Sequence, residues 1–255
     1  MTLRTLQKWH GAGNAFLVDV IEHGTAPWWN ADRARSVCRR ATGVGADGLL
    51  VATVGSEVDM VLYNADGSIA EMSGNGIRCL AAAVRRATHA DWDSLDVMTD
   101  SGLRTVTIQM NGDAGYASVA MGPVTFGERL GGALGVAHVG NPHVVVRDDP
   151  QWSDAHREEL AAAWSTQLGG ANVEFVSLID ASHLRLRVIE RGVGWTLACG
   201  TGSCAAAGVF HREGLTGADV VIDNPGGPLR VQLNDGSATL GGPVQFIANV
   251  EWLEA

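Results

Sequence analysis

Two glycine turns, each leading into an alanine-rich segment, constrain the fold of this chain more than any other feature. The first is SGNGIRCLAAA (73–83) and the second is CGTGSCAAAG (199–208), so Ser73 and Cys199 occupy the same place in the two copies. A glycine turn at the start of a helix leaves backbone N–H groups without intrahelical partners, and the helix dipole adds partial positive charge. Each turn is therefore a candidate anion site.

The hydrophobic pattern predicts a similar series of elements around each turn. β-Branched or alternating runs predict strands, and capped periodic segments predict helices. The predicted strands are 15–21, 48–54, 58–64, 94–99 and 104–110, then 135–140, 143–148, 172–179 and 183–190. The predicted helices are 30–41 with Asn30 as N-cap, 75–88, 153–167 and 202–213, followed by a β-rich tail with a turn at 234–237.

A glycine-rich stretch near Gly122 separates the two series, which indicates a weak internal duplication. Frequent hairpin-like turns favour antiparallel pairing over a doubly wound sheet. The sequence therefore predicts an α/β fold of two similar domains, residues 1–121 with 246–255 and residues 122–245. Each is expected to be a curved, mostly antiparallel sheet around a central helix, with a pseudo-twofold axis relating the two and a cleft between them.

Composition narrows the classes of partner. The 255 residues carry a net charge of −10, which disfavours nucleic acid, and they contain no run of 18 apolar residues that would span a membrane. The opening MTLRTLQKWHG lacks the features of a signal peptide, so four cysteines predict reduced thiols in the cytoplasm. We expect a cytoplasmic protein with no nucleic-acid or membrane partner.

The residue that leads each turn suits acid–base chemistry. A thiol at a helix N-terminus is expected to have a lowered pKa and to exchange a proton near neutrality. Two such groups on opposite faces of one carbon would invert it by removing a proton and returning another. The sequence shows no Schiff-base lysine motif, metal-ligand cluster or phosphate-binding lysine loop, so no cofactor and no metal is predicted.

Further motifs, in order along nearly the full chain, complete a family resemblance. They are KWHGAGNAFLVD (8–19), GVGADGLL (43–50), NADGSIAEMSGNGIRC (64–79), GNPHVVV (140–146), NVEF (172–175) and ERGVGWTLACGTGSCAAA (190–207). With these motifs the chain resembles the diaminopimelate epimerases, cofactor-independent isomerases of lysine and peptidoglycan synthesis. The resemblance implies that a homodimer inverts the α-carbon of LL-diaminopimelate, a small diamino dicarboxylic acid, to the meso form.

The resemblance also implies roles for individual residues. The family uses two cysteines as its acid–base pair; Cys199 matches the second, and Ser73 stands at the position of the first. The first is paired with the histidine of GNPH, here His143, and the second with the glutamate of ERG, here Glu190. The implied substrate-binding residues are Asn14, Asn64, Gly74, Asn75, Asn141, Asn172, Glu190, Arg191, Gly200 and Thr201.

Arg191 suits a dicarboxylate substrate on chemical grounds as well, because a guanidinium binds a carboxylate through two hydrogen bonds. Outside its motif, a surface ion pair would explain this arginine equally well. Milder departures from the family pattern are Ala15, Gly48 and Trp195, which change the shape of the expected pocket. The remaining cysteines, at positions 38, 79 and 204, are predicted to be core thiols.

Ser73 is the most important departure. A hydroxyl is a far weaker base than a thiol, whose reference pKa is about 8.5, although a neighbouring base can activate it. Three explanations stand: an engineered Cys→Ser change, a natural serine assisted by His143 or water, or drift toward another reaction. The functions left open are a diaminopimelate epimerase, a related amino-acid racemase or dehydratase, and a catalytically silent amino-acid-binding homologue.

Overall fold

A computed structural model describes residues 3–70 and 72–253, and these contain four helices and seventeen strands. The helices are α1 (Ala31–Cys38), α2 (Gly74–Thr88), α3 (Asp154–Gln167) and α4 (Gly200–Arg212). The strands are β1 (Leu3–Gly11), β2 (Asn14–Glu22), β3 (Gly48–Val54), β4 (Val58–Asn64), β5 (Ile69–Ala70), β6 (Ser94–Thr99), β7 (Gly102–Asn111), β8 (Ala114–Pro123), β9 (Thr125–Phe126), β10 (Gly135–Val139), β11 (Asn141–Arg147), β12 (Asn172–Asp180), β13 (His183–Glu190), β14 (Gly194–Thr196), β15 (Asp219–Asn224), β16 (Gly227–Asn234) and β17 (Ser237–Leu253). Within the described ranges, no helix has the length and apolar character needed to cross a bilayer.

The chain divides into two compact units, Met1–Val119 with Gly242–Ala255 and Ala120–Gly241. In the first unit, α1 connects the parallel pair β2–β3. Along the chain, α2 comes between β4 and β6, which also pair in parallel. In the second unit, α3 connects the parallel pair β11–β12. Along the chain, α4 comes between β13 and β15, which also pair in parallel. The adjoining hairpins are antiparallel in both units. The predicted α/β fold with mostly antiparallel pairing is confirmed, and both units repeat one order of elements.

The central helix of each unit is enclosed on nearly every side. In α2 the buried residues run from position 74 to 84, and in α4 all residues from 202 to 210 are buried. Their alanine triplets, 81–83 and 205–207, are almost inaccessible to solvent, because small side chains let strands approach the helix from several directions. The alanine-rich segments therefore mark the helices around which the two units are built.

The first helix ends earlier than the sequence predicts. Asn30 caps it as expected, with its side chain accepting from the Arg33 N–H, but Arg39 leaves the helical conformation at φ −60° and ψ 127°. The chain then turns back, and the N–H groups of Val44 and Gly45 donate to the Val37 carbonyl. These tertiary hydrogen bonds replace the last predicted turn of the helix.

Two long strands were missed by the hydrophobic pattern. β1 carries polar residues on both sides of its alternation, and pairing with β2 and β17 holds it in the sheet. β8 lies in a glycine-containing stretch and pairs with β7. By contrast the predicted turn at 234–237 is confirmed, because Asp235 (φ 47°) and Gly236 (φ 77°) form a two-residue hairpin of the type that positive φ angles favour.

Candidate active site

The two turn-leading residues cap their helices in the same way. Ser73 has φ −135° and ψ 121°, and its Oγ accepts the Gly76 N–H at 3.0 Å. Cys199 has φ −122° and ψ 114°, and its Sγ accepts the Gly202 N–H at 3.3 Å. One hydroxyl and one thiol thus occupy equivalent N-cap positions in the two units.

The backbone beyond each cap is arranged to receive an anion. The first bonds of the helical ladder run from the Ile77 N–H to the Ser73 carbonyl and from the Ser203 N–H to the Cys199 carbonyl. The N–H groups before them have no carbonyl four residues back within the helix, and they lie at the positive end of its dipole. These groups belong to Gly74 and Asn75 in the first unit and to Gly200 and Thr201 in the second.

A buried arginine, which sequence reasoning missed, fixes the turn in the first unit. Arg78 is fully buried, and it donates to the Gly74 carbonyl at 3.1 Å and to the Asn75 side-chain oxygen at 2.5 Å. The Asn75 amide in turn donates to Asn14 at 2.6 Å. The structure therefore brings two predicted substrate-binding residues together, and an arginine directly before the apolar segment 79–84 was the available signal.

Asn64 lies apart from that network. It is exposed at the end of β4, and its side-chain amide donates to the Ser68 hydroxyl at 3.0 Å. Its N–H also donates to the Ser68 carbonyl, so these contacts close the turn that follows the strand. Within the described ranges no side-chain hydrogen bond connects Asn64 to Asn14 or Asn75.

Cys199 lies in an acidic, buried environment in the second unit. Its exposed fraction is 6%, and burial raises the pKa of the thiol well above its usual value. The negative charges of Glu190 and Glu174 raise this pKa further, while hydrogen bonds from Thr201 and Gly202 oppose them. The lowered pKa expected at a helix N-terminus is therefore wrong for Cys199, because burial and the charges of Glu190 and Glu174 both raise the pKa of the thiol.

Glu190 stands next to this thiol. Burial raises the pKa of its carboxyl group, a hydrogen bond from Thr196 lowers it, and the charge of Glu174 raises it again. A smaller lowering effect comes from a hydrogen bond with Cys199. The carboxyl group thus interacts with the thiol and has a raised proton affinity, which suits proton exchange between them.

His143 is fully buried in the same unit, between two polar side chains. Its Nδ1 lies 2.7 Å from Glu174 Oε1, and its Nε2 lies 2.9 Å from Asn141 Oδ1. A ring nitrogen of His143, a carboxylate oxygen of Glu174 and the sulfur of Cys199 all lie within 4.8 Å of one another. The structure therefore places His143 beside Cys199, and its pairing with Ser73 stays a prediction.

These three side chains are donor types that zinc uses, but their spacing is that of a hydrogen bond. Zn–N and Zn–O bonds of about 2.0–2.2 Å at tetrahedral angles separate two ligand atoms by roughly 3.3 Å. The 2.7 Å contact between His143 and Glu174 is shorter than that. The geometry is that of a hydrogen-bonded histidine–glutamate pair beside a thiol.

Asn172 links the thiol to the ERG segment. Its amide nitrogen lies 3.8 Å from Cys199 Sγ, and its side-chain oxygen accepts the Arg191 N–H at 2.9 Å. The exposed side chain of Arg191 passes Gly170 and borders a cavity of about 340 Å³, which Glu158, Ser165 and Glu190 also line. No ion pair joins its guanidinium to a carboxylate in the part of the chain that the structure describes. The paired surface arginine considered from the sequence is not what the structure shows.

The other cysteines are core residues, as predicted. Cys38, Cys79 and Cys204 are all buried. Burial raises the pKa of Cys38 to about 12 and that of Cys79 to about 12. Cys199 differs from Cys38 and Cys79 in that two carboxylates, Glu190 and Glu174, act on its pKa.

Gly202 is required by the packing of the Cys199 turn. A Cβ at this position would lie 2.5 Å from Glu174 Oε1 and 3.2 Å from the Cys199 side chain. We expect Gly202→Ala to lower the free energy of unfolding by about 1–3 kcal/mol, the usual effect of overpacking. Urea unfolding measures this, with Gly131→Ala as the control because no heavy atom lies within 4 Å there. Equal stability of the two variants would contradict the described packing.

The sequence model of the diaminopimelate epimerase family matches residues 6–127 and 135–247. The chain belongs to the diaminopimelate epimerase family. It is 35% identical to the diaminopimelate epimerase of Xanthomonas campestris pv. campestris, over 96% of this chain and 95% of that protein. The corresponding protein of Clostridium perfringens is 32% identical over 96% of this chain and 98% of its own length. As a family member, the chain is an amino-acid epimerase and hence an isomerase.

Solved structures show the same fold at low sequence identity. A predicted epimerase from Pseudomonas aeruginosa superposes with a TM-score of 0.77 at 17% identity, covering 99% of this chain and 100% of that one. A hydroxyproline epimerase from Agrobacterium vitis, solved with trans-4-hydroxy-L-proline, gives 0.73 at 15% identity, covering 99% and 91%. The diaminopimelate epimerase family thus shares its architecture with other epimerases.

Proposed function

We propose that this member of the diaminopimelate epimerase family inverts the α-carbon of LL-diaminopimelate to give the meso form, a step of lysine and peptidoglycan synthesis. The observation that carries the proposal is the matching N-cap geometry of Ser73 and Cys199. If the amides of both turns hold one carboxylate, a hydroxyl and a thiol flank the same carbon. One group then removes the α-proton and the other returns a proton on the opposite face.

Cys199 is the proton donor of the resting site in this proposal. The raised pKa of the thiol supports this, because the group then carries its proton near neutrality. In the reverse direction Cys199 must accept the α-proton as a thiolate, and Glu190 is placed to take the proton that the thiol gives up. Ser73 needs a comparable partner, for which His143 or a water molecule is proposed.

The remaining predicted residues would bind the substrate. The amides of Gly74, Asn75, Gly200 and Thr201 would hold the reacting carboxylate, with Asn14, Asn64, Asn141 and Asn172 around the rest of the molecule. Arg191 would hold the distal carboxylate; its place at a cavity supports this, as does the lack of an ion pair to its guanidinium among the described residues. We also propose that the protein acts as a cytoplasmic homodimer without a cofactor.

Arg191→Ala should weaken binding of the diamino dicarboxylic acid selectively. Loss of one charge-assisted contact corresponds to about 1.5–3 kcal/mol, or roughly a 10- to 100-fold rise in KM. Binding of lysine, which lacks the distal carboxylate, should be nearly unchanged. Steady-state kinetics and calorimetry measure both, with Arg185→Ala as an exposed arginine control in the same unit. Equal loss for both ligands would show that Arg191 does not hold the distal group.

Exchange of the α-proton in deuterated water, followed by NMR on LL- and meso-diaminopimelate, tests the function itself. Exchange with inversion supports the epimerase. Exchange without inversion indicates a single working base and favours a related lyase or dehydratase. Binding with no exchange would identify a catalytically silent amino-acid-binding protein.

A further inference from the structure

Glu174 is a buried acid that the two-base scheme leaves without a role. It lies in β12 between Val173 and Phe175, and its exposed fraction is 0%. Oε1 contacts Nδ1 of His143 at 2.7 Å, while Oε2 has no hydrogen-bond partner among the described residues. Most buried carboxyl oxygens have a hydrogen-bond partner, so an orphaned oxygen beside a candidate active site requires an explanation.

The carboxylate decides where His143 carries its proton. When Glu174 is ionised it can only accept hydrogen bonds, and Nδ1 of His143 is then the protonated nitrogen. Nε2 is then the nitrogen whose protonation can change, and it faces the side-chain amide of Asn141 at 2.9 Å. An amide can accept through its oxygen or, rotated by half a turn, donate through its NH₂ group. The surroundings of Nε2 therefore accommodate both protonation states.

The negative charge of the same carboxylate disfavours a thiolate at Cys199. Glu174 Oε1 lies against Gly202, where a Cβ would be only 2.5 Å away, so its charge sits at the N-terminal turn of α4. The groups of Glu174 and Cys199 approach within 4.8 Å in a buried space, where two like charges disfavour each other. The other titratable groups facing the thiol are Glu190 from β13 and His143 from β11.

We propose that Glu174 is a positioning residue whose ionised form keeps the proton on Nδ1 of His143 and disfavours a second negative charge on Cys199, so that Cys199 stays in the thiol form. The inference rests on the proposed function, because a resting thiol matters only if Cys199 delivers a proton to the substrate. Glu174 itself touches no reacting atom in this scheme. Its two effects can nevertheless be measured without substrate.

The first test is the pH dependence of cysteine alkylation by iodoacetamide, mapped to each cysteine by mass spectrometry. In Glu174→Gln the midpoint for Cys199 should fall by about 1–2 pH units, because a negative charge a few ångströms away is removed. Glu159→Gln removes an exposed carboxylate from α3 of the same unit and should leave the midpoint unchanged. An unchanged Cys199 midpoint in Glu174→Gln, with Cys38, Cys79 and Cys204 still unlabelled, would overturn the proposal.

Labelling of those three buried cysteines would show that Glu174→Gln has loosened the fold. The proposal is then tested on the wild-type protein by NMR. ¹⁵N NMR of histidine-labelled protein, with His143 assigned through His143→Gln, should show a protonated Nδ1 throughout the titration. An unprotonated Nδ1 in the neutral ring would overturn the proposal. Neither measurement requires turnover. If the alkylation midpoint of Cys199 falls in Glu174→Gln but the wild-type protein does not epimerise diaminopimelate, the role of Glu174 stands and the proposed function is rejected.

Discussion

Replacing Ser73 by cysteine should raise the rate of meso-diaminopimelate formation by about 10²–10⁴-fold, the usual contribution of a positioned acid–base group. This corresponds to roughly 3–5 kcal/mol of activation free energy. The N-cap geometry of Ser73 already matches that of Cys199, so a thiol at position 73 would enter an equivalent backbone setting. A coupled assay of meso-diaminopimelate formation measures the change.

Ser36→Cys is the matched control, because Ser36 is exposed on α1 of the same unit and should not affect the rate. A different outcome is expected if His143 already activates the hydroxyl. Ser73→Cys would then help little, and His143→Ala would be as damaging as loss of the thiol. If neither variant changes the rate, position 73 carries no proton and the two-base scheme fails.

Cys199→Ser should abolish inversion, because no thiol would then remain at either turn. We expect kcat to fall by about 10²–10⁴-fold or more. Serine is a strong N-cap residue, so the start of α4 should be preserved and the melting temperature should not fall. α-Proton exchange and the coupled assay report activity, and thermal unfolding reports the fold.

Cys204→Ala provides the comparison for Cys199→Ser, since Cys204 is a fully buried thiol on the same helix. It should lose stability through the small cavity left behind while keeping its activity. If Cys199→Ser inverts the substrate at the wild-type rate, Cys199 does not take part in proton transfer. The contrast between a gain at position 73 and a loss at position 199 distinguishes a two-base enzyme with one weakened base from a binding protein.

Local chemistry explains why much of the fold was predictable. Asn30 and Ser153 cap helices where the sequence predicts helix starts, since each side chain satisfies a backbone N–H three residues on. Asp235 and Gly236 form the predicted hairpin turn because the pair tolerates positive φ angles. In each case the signal and the structure it specifies lie within a few residues of each other.

The site was less predictable because its contacts cross long stretches of sequence. The pair of His143 and Glu174 depends on the parallel register of β11 and β12, which aligns His143 with Asn172. No local pattern sets that register. Glu174 did carry a signal, because an acid between Val173 and Phe175 in a buried strand requires a partner. The pKa of Cys199 likewise depends on two acids that only the tertiary fold brings to it.

The long strand β17 has a consequence for the order in which the chain folds during synthesis. Residues 237–241 pair with β16 in the second unit, whereas residues 245–253 pair with β1 in the first. The ribosome therefore makes the whole second unit, at about 5–20 residues per second, before β1 receives this neighbour. Until then the unit that carries Ser73 has an unpaired strand edge, the kind of surface on which nascent chains aggregate. The half of the protein that is translated first thus depends on the residues translated last to complete its sheet.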